Sequence, residues 1–102
     1  MKKVIDGKTY NTETAEHLAN WWNRCSTADF GYCIEDLYRT KKGTYFIAGE
    51  GGAMSKYAQP CGNNSVCGGE NITPLSECEA REWVEANANN KYEEIFGECE
   101  EA

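Results

Sequence analysis

Between Ile47 and Glu70 the chain reads IAGEGGAMSKYAQPCGNNSVCGGE, a stretch that holds most of its ten glycines and two of its six cysteines. Residues of these types can cradle a phosphate, hold a metal or shape a surface for another macromolecule. The P-loop pattern needs a glycine separated by four residues from a Gly-Lys-Ser/Thr triplet. Here Lys56 follows Ser55, and no glycine stands at the required place. The dinucleotide fingerprint also breaks, because Gly49 and Gly51 fit but Met54 occupies the third glycine position. Glu50 inside the run would repel a phosphate as well. Zinc sites favour cysteine pairs two to four residues apart, whereas five residues separate Cys61 from Cys67. Nucleophilic catalysis needs a base beside a Ser or Cys. The one histidine, His17, is far from both types in any marked pattern. Glu35 and Asp36 are adjacent on a β-prone run, so they point to opposite faces and do not form an acid–base pair. No enzyme is expected.

Charge distribution says more. The formal net charge is −7, and residues 77–101 hold nine glutamates against Arg81 and Lys91. Residues 1–76 are balanced, so the excess lies in the last quarter. A basic groove is attracted to that end and a polyanion is repelled. The plain alternative for any one glutamate is a solvated helix face. The N-terminal MKKVIDGKTY turns polar at Asp6 and has neither an apolar stretch nor a small-residue cleavage site. A cytoplasmic, reducing setting is therefore expected, in which disulfides rarely persist. Cys25, Cys33, Cys61, Cys67, Cys78 and Cys99 then read mostly as small half-buried hydrophobes.

The elements that must position these residues follow from local pattern. KKVIDGKTYN reads as two short strands around an Asp6-Gly7 turn. In NTETAEHLANWWN, Ala15, Leu18, Ala19 and Trp22 recur with helical spacing, and Asn11 or Thr12 can cap. Trp21 and Trp22 cannot share a helix face, so one is expected at an edge, where Trp favours interfaces. FGYCIEDLYRT and TYFIAG flank KKG and predict an antiparallel hairpin with Gly43 at its turn. Phe30, Tyr32 and Ile34 alternate and Leu37 falls out of phase, so either both faces are partly covered or a bulge lies near Asp36. NITPL predicts a strand that Pro74 confines to an edge or an end. SECEAREWVEANA predicts a helix with a Ser76/Glu79 capping box and a buried face of Ala80, Trp83 and Val84. NKYEEIFGEC predicts a second helix capped by Asn90 and Glu93, with Tyr92, Ile95, Phe96 and Cys99 on one side.

The runs IDGKTYNTETAEHLANW, LYRTKKGTYFIAGEGGAMSKYA and ITPLSECEAREWVE resemble a widespread family of small acidic proteins. Its members come from Firmicutes and other gut bacteria and from their phages or mobile elements. YNTETA and the block carrying Gly49, Glu50, Gly51, Gly52, Ser55, Lys56, Tyr57 and Ala58 are the most specific parts. The resemblance implies a small cytoplasmic protein. Mobile-element proteins with acidic faces include anti-CRISPR and antirestriction inhibitors that imitate the charge of DNA.

Together these readings predict a single α+β domain over residues 1–102, a small antiparallel sheet of hairpins with helices packed on one face. A Gly-rich connection is expected at 49–70 and an acidic helical part at 76–101. The expected function is non-enzymatic binding of a host protein with a basic surface, with no cofactor, no direct nucleic acid and no membrane. Glu50, Lys56, Tyr57, Trp21, Glu79, Glu82, Glu85, Glu93 and Glu94 are the expected partner-binding residues. Gly49, Gly51 and Gly52 are expected to set loop geometry. Two alternatives are a zinc-stabilised domain using Cys61 and Cys67 with Cys25 or Cys33, and a nucleotide-binding regulator using the Gly-rich loop.

Overall fold

Asp6 and Gly7 take positive φ, 50° and 76°. An Asp-Gly pair accepts this conformation, which matches the twist of a two-residue hairpin. The turn joins β1 (Lys2–Ile5) to β2 (Lys8–Asn11) in register Lys3↔Tyr10 and Val4↔Thr9. The computed structural model describes all residues, 1–102. After β2 the Asn11 side chain accepts from the Glu13 amide at 2.9 Å, and its carbonyl accepts from Ala15 N. Asn11 thus closes a turn, and no helix follows.

Instead residues 16–22 form β3 (Glu16–Trp22), which pairs antiparallel with β4 (Cys33–Arg39). The expected helix is corrected here, and the reason lies in a bulge. Registry shifts between His17↔Tyr38 and Ala19↔Leu37, leaving Leu18 as the extra residue. Leu18 and Ala19 both pack into the same core cluster. A bulge that turns two successive apolar residues inward imitates helical spacing in sequence. The bulge expected near Asp36 is absent, for β4 runs in continuous register with β5 (Tyr45–Gly51) from Cys33↔Gly51 to Arg39↔Tyr45. Phe30 and Tyr32 precede the strand, and Leu37 is in phase with Cys33 and Glu35. Gly43 (φ 88°) closes the β4–β5 turn as expected.

β6 (Gln59–Pro60) and β7 (Val66–Cys67) form a two-stranded ribbon, and β8 (Gly69–Leu75) then pairs with β5. The main sheet is antiparallel in the order β3-β4-β5-β8, with Pro74 on the edge strand. The stretch 49–70 is therefore not one connection. Its first three residues end β5 and its last two begin β8.

α1 (Glu77–Asn87) starts at the predicted capping box. Glu79 N donates to Ser76 Oγ at 3.1 Å, and Ser76 N donates to Glu79 Oε1 at 2.9 Å. α2 (Tyr92–Phe96) has only five residues after a short 3-10 turn at Asn89–Lys91. Asn90 does not cap it, and Gly97 (φ 95°) ends it before the predicted Cys99 turn. Ala80, Val84 and Ala88 pack on Leu37, Tyr45 and Ile47, so the helices cover one face of the sheet. Tyr10 packs on Phe46, Ala48 and Ile72 from the other side, with the Tyr10 and Phe46 rings edge-to-face at 5.5 Å. The result is an α+β fold in three layers, with the β1–β2 hairpin as the third.

Leu37 and Phe46 are fully buried on opposite faces. Leu37→Ala is expected to destabilise the domain by about 2–5 kcal/mol, read as a lower urea midpoint with an unchanged slope.

Candidate functional site

Glu35 sits in the middle of β4 and is only 4% exposed. Isolated burial of a carboxylate is costly unless every lone pair finds a partner. Three groups supply them. The Tyr57 hydroxyl donates to Oε2, Lys56 Nζ lies 2.7 Å from the same oxygen, and Trp83 Nε1 donates to Oε1 at 3.1 Å. Trp83 comes from α1 and Lys56-Tyr57 from the loop after β5, so one carboxylate ties the helix and the loop to the sheet. Burial alone would raise its titration. The hydrogen bonds from Lys56, Tyr57 and Trp83 and the Lys56 charge outweigh that and hold it below the ordinary carboxylate range. Burial, and then the bond to Glu35, push the Tyr57 phenol far up, so it stays a donor. Burial, with Glu35 nearby, also raises Cys33 and keeps it a thiol rather than a nucleophilic thiolate.

This clasp explains the glycine block after Ala48. A Cβ on Gly49 would overlap the Tyr57 ring, and one on Gly51 would overlap Ser55 Oγ. A side chain at Gly52 would strike the Phe30 carbonyl. These glycines are required by close approach and not by positive φ. The loop then laces to the segment before β4. Gly52 N donates to Tyr32 O at 3.0 Å and Met54 N to Phe30 O at 2.7 Å. Asn23 completes the segment by accepting from Cys33 N and donating to Gly31 O.

Beside this lacing opens a cleft of about 620 Å³. Gly51, Gly52, Gly68 and Gly69 make a floor with no side chains. Phe30 (69% exposed) and Val66 (57% exposed) flank it. Asp29, Glu50 and Glu70 contribute three carboxylates, and no Lys, Arg or His lines it. Glu50 and Glu70 are direct cross-strand partners. Like charges in that position destabilise a sheet, and neither carboxylate takes part in the molecule's ion pairs. One wall is the β6–β7 ribbon, closed by a Cys61–Cys67 disulfide with Cα atoms 5.7 Å apart. This corrects the reading of both residues as reduced thiols or zinc ligands. The two sulfurs are bonded to each other across the ribbon, which leaves neither for a metal.

The residues expected to bind a partner are dispersed. Glu50 lines the cleft. Lys56 is exposed, but its amine is held by Glu35, and Tyr57 is buried beneath it. Trp21 lies half-buried opposite Glu35, and its neighbour Trp22 is the exposed member of the pair at 48%, its indole donating to Cys25 O. Glu79 is spent in the capping box, Glu82 accepts from Cys78 Sγ, and Glu94 pairs with Lys91. Glu85 and Glu93 line a separate shallow depression with Asn89. Glu50 follows Ala48 on the β1–β2 side of the sheet, whereas these five glutamates lie on the helical side. Asp29, Phe30, Val66 and Glu70 were missed. The only local signal was the mirrored order Gly-Glu-Gly at 49–51 and Gly-Glu at 69–70, which the register Glu50↔Glu70 joins. No family model, curated protein or solved structure matches the chain.

Two predictions come from this geometry. Tyr57→Phe is expected to cost about 1.5–3 kcal/mol, the range for a hydrogen bond to a charged group. Because the Glu35 carboxyl titrates lower folded than unfolded, its contribution is complete above the unfolded value of about 4.3 and drains away as pH falls through the folded one. Urea midpoints from pH 6 downward are expected to fall less steeply in Glu35→Gln than in the wild type. Second, mass spectrometry after alkylation without reductant is expected to label Cys25, Cys78 and Cys99 in the native state and Cys33 only on unfolding. Cys61 and Cys67 should label only after reduction, with a loss of about 2 kcal/mol for so short a loop.

Proposed function

We propose that the domain is a non-enzymatic binding module that seats a basic segment of a host protein in the cleft between Phe30 and Val66. The observation that carries this reading is the Glu50/Glu70 pair. Two exposed carboxylates stand directly opposite each other, with Asp29 nearby and exposed apolar side chains beside them, and neither forms an ion pair with a cation of the chain. A Lys or Arg from a partner relieves that repulsion, and an adjacent apolar residue can cover Phe30. The glycine floor lets a partner backbone lie close. A nucleotide fits poorly, because its phosphates would face three carboxylates.

The narrower version is inhibition of an enzyme that handles nucleic acid. Support comes from the seven excess negatives of residues 77–101 and from the resemblance to proteins of mobile elements. A partner with a basic channel would meet acidic side chains on either side of the sheet. No helix of the chain is long and apolar enough to cross a membrane. A cytoplasmic setting belongs to this proposal.

The test uses a partner captured from the native host and then purified. Its affinity is expected to fall steeply with salt, since steering between exposed charges is screened. Phe30→Ala and Glu50→Lys are each expected to weaken it by about thirtyfold, equivalent to about 2 kcal/mol at a hot spot. Affinity that is flat with salt and indifferent to both substitutions contradicts the reading.

A further inference from the structure

At the far end of the sheet from the acidic cleft, the turn of β1–β2 and the turn of β4–β5 enclose a second, differently built cavity. Its volume is about 420 Å³, within the range of small-molecule sites. Lys8, Lys41 and Lys42 line it together with Thr9, Thr14, Thr40 and Thr44, and no carboxylate does. In a chain with a net charge of −7, three lysines around one cavity without an acidic residue are out of proportion. None of the three takes part in an ion pair. Glu16, which lines the adjoining depression with Lys41, pairs with Arg39 at 2.7 Å and not with a lysine. Asp6 and Glu13 are close in sequence, but neither lines the cavity.

The hydroxyls complete the chemistry. Thr14 Oγ1 donates to Asn11 O, and Thr40 Oγ1 accepts from Thr44 N. The Thr9 and Thr44 hydroxyls remain for a ligand. Ammonium groups act as point charges toward phosphate oxygens, and threonine hydroxyls donate to the same atoms. The two turns are anchored by different contacts. Gly43 N donates to Thr40 O within one turn, while Tyr10 packs on Phe46 beneath the other. The distance between them is therefore set by the core and not by the lysines.

We propose that this cavity binds the diphosphate group of a small phosphorylated molecule. Three lysines match a charge of two to three negatives. A long polyanion is disfavoured by the chain's net charge of −7. The site is independent of the acidic cleft, since Cys33↔Gly51 and Arg39↔Tyr45 mark opposite ends of the β4–β5 pair, about 20 Å apart at the rise of a strand.

The experiment titrates inorganic pyrophosphate into the full isotope-labelled chain at low salt and follows backbone amides by NMR. Saturable shifts are expected at residues 7–14 and 40–44, with amides near Glu50 and Glu70 unmoved. The double substitution Lys41→Glu, Lys42→Glu is expected to weaken binding at least tenfold, and the milder Lys42→Gln to weaken it less while leaving the free spectrum intact. Absence of saturation at millimolar pyrophosphate overturns the proposal. So does equal binding by the charge-reversed protein with an undisturbed spectrum. Tighter binding of a single-stranded oligonucleotide through the same amides would replace the small ligand by a nucleic acid.

Discussion

The burial of one carboxylate, Glu35, constrains much of the molecule. A charge placed in the middle strand of a small sheet is tolerated only when fully partnered. The partners come from 21, 22 and 48 residues away in the chain: Lys56, Tyr57 and Trp83. To deliver them, the loop after β5 must fold back over the sheet and α1 must lie across it. Gly49 must be bare so that the Tyr57 ring can pass. Once Tyr57 and Lys56 are fixed, Met54 and Gly52 are held against Phe30 and Tyr32, and the acidic cleft acquires its shape. The acidic cleft is thus supported from beneath by a structural ion pair, of which the Glu35 carboxylate is buried and the Lys56 side chain exposed.

That division of labour changes the meaning of the most distinctive sequence block. Glu50, Lys56 and Tyr57 stand close together in sequence and look like one binding site. In the fold they separate. Tyr57 is buried against Glu35, the exposed Lys56 reaches the same carboxylate with its amine, and Glu50 faces the other side of the sheet opposite Glu70. The glycines between them serve close packing on one side and leave an open floor on the other. The molecule is also electrically polar. Its acidic cleft and helices contrast with the three unpaired lysines at the hairpin turns.

Features governed by local chemistry were legible in the sequence. The Asp6-Gly7 turn, Gly43, the Ser76/Glu79 box and the edge position of Pro74 each depend on a few neighbouring residues. The α+β class and the helical face of Ala80, Trp83 and Val84 followed from them. What failed depended on distant pairing. β3 looked helical because the Leu18 bulge sends two successive apolar residues into one cluster. The second helix looked longer than its five residues because tertiary contacts of Tyr92 and Phe96 produce apolar spacing without needing further turns. Glu35 reads in the sequence only as a neighbour of Asp36 on the opposite face, since nothing around it reveals that Trp83 lies above it. The Cys61–Cys67 bond was set aside on grounds of compartment, although a tight ribbon was the geometry that brought the two sulfurs together.

The central claim is that the Glu35 clasp, rather than the sheet alone, holds the cleft in shape. Amide hydrogen exchange on Glu35→Ala tests it directly, because local opening is read residue by residue. The account predicts that the Gly52 and Met54 amides, bonded to Tyr32 and Phe30, lose most of their protection while the amides of the β1–β2 hairpin keep theirs. Unchanged protection at Gly52 and Met54 in a folded Glu35→Ala protein would contradict it.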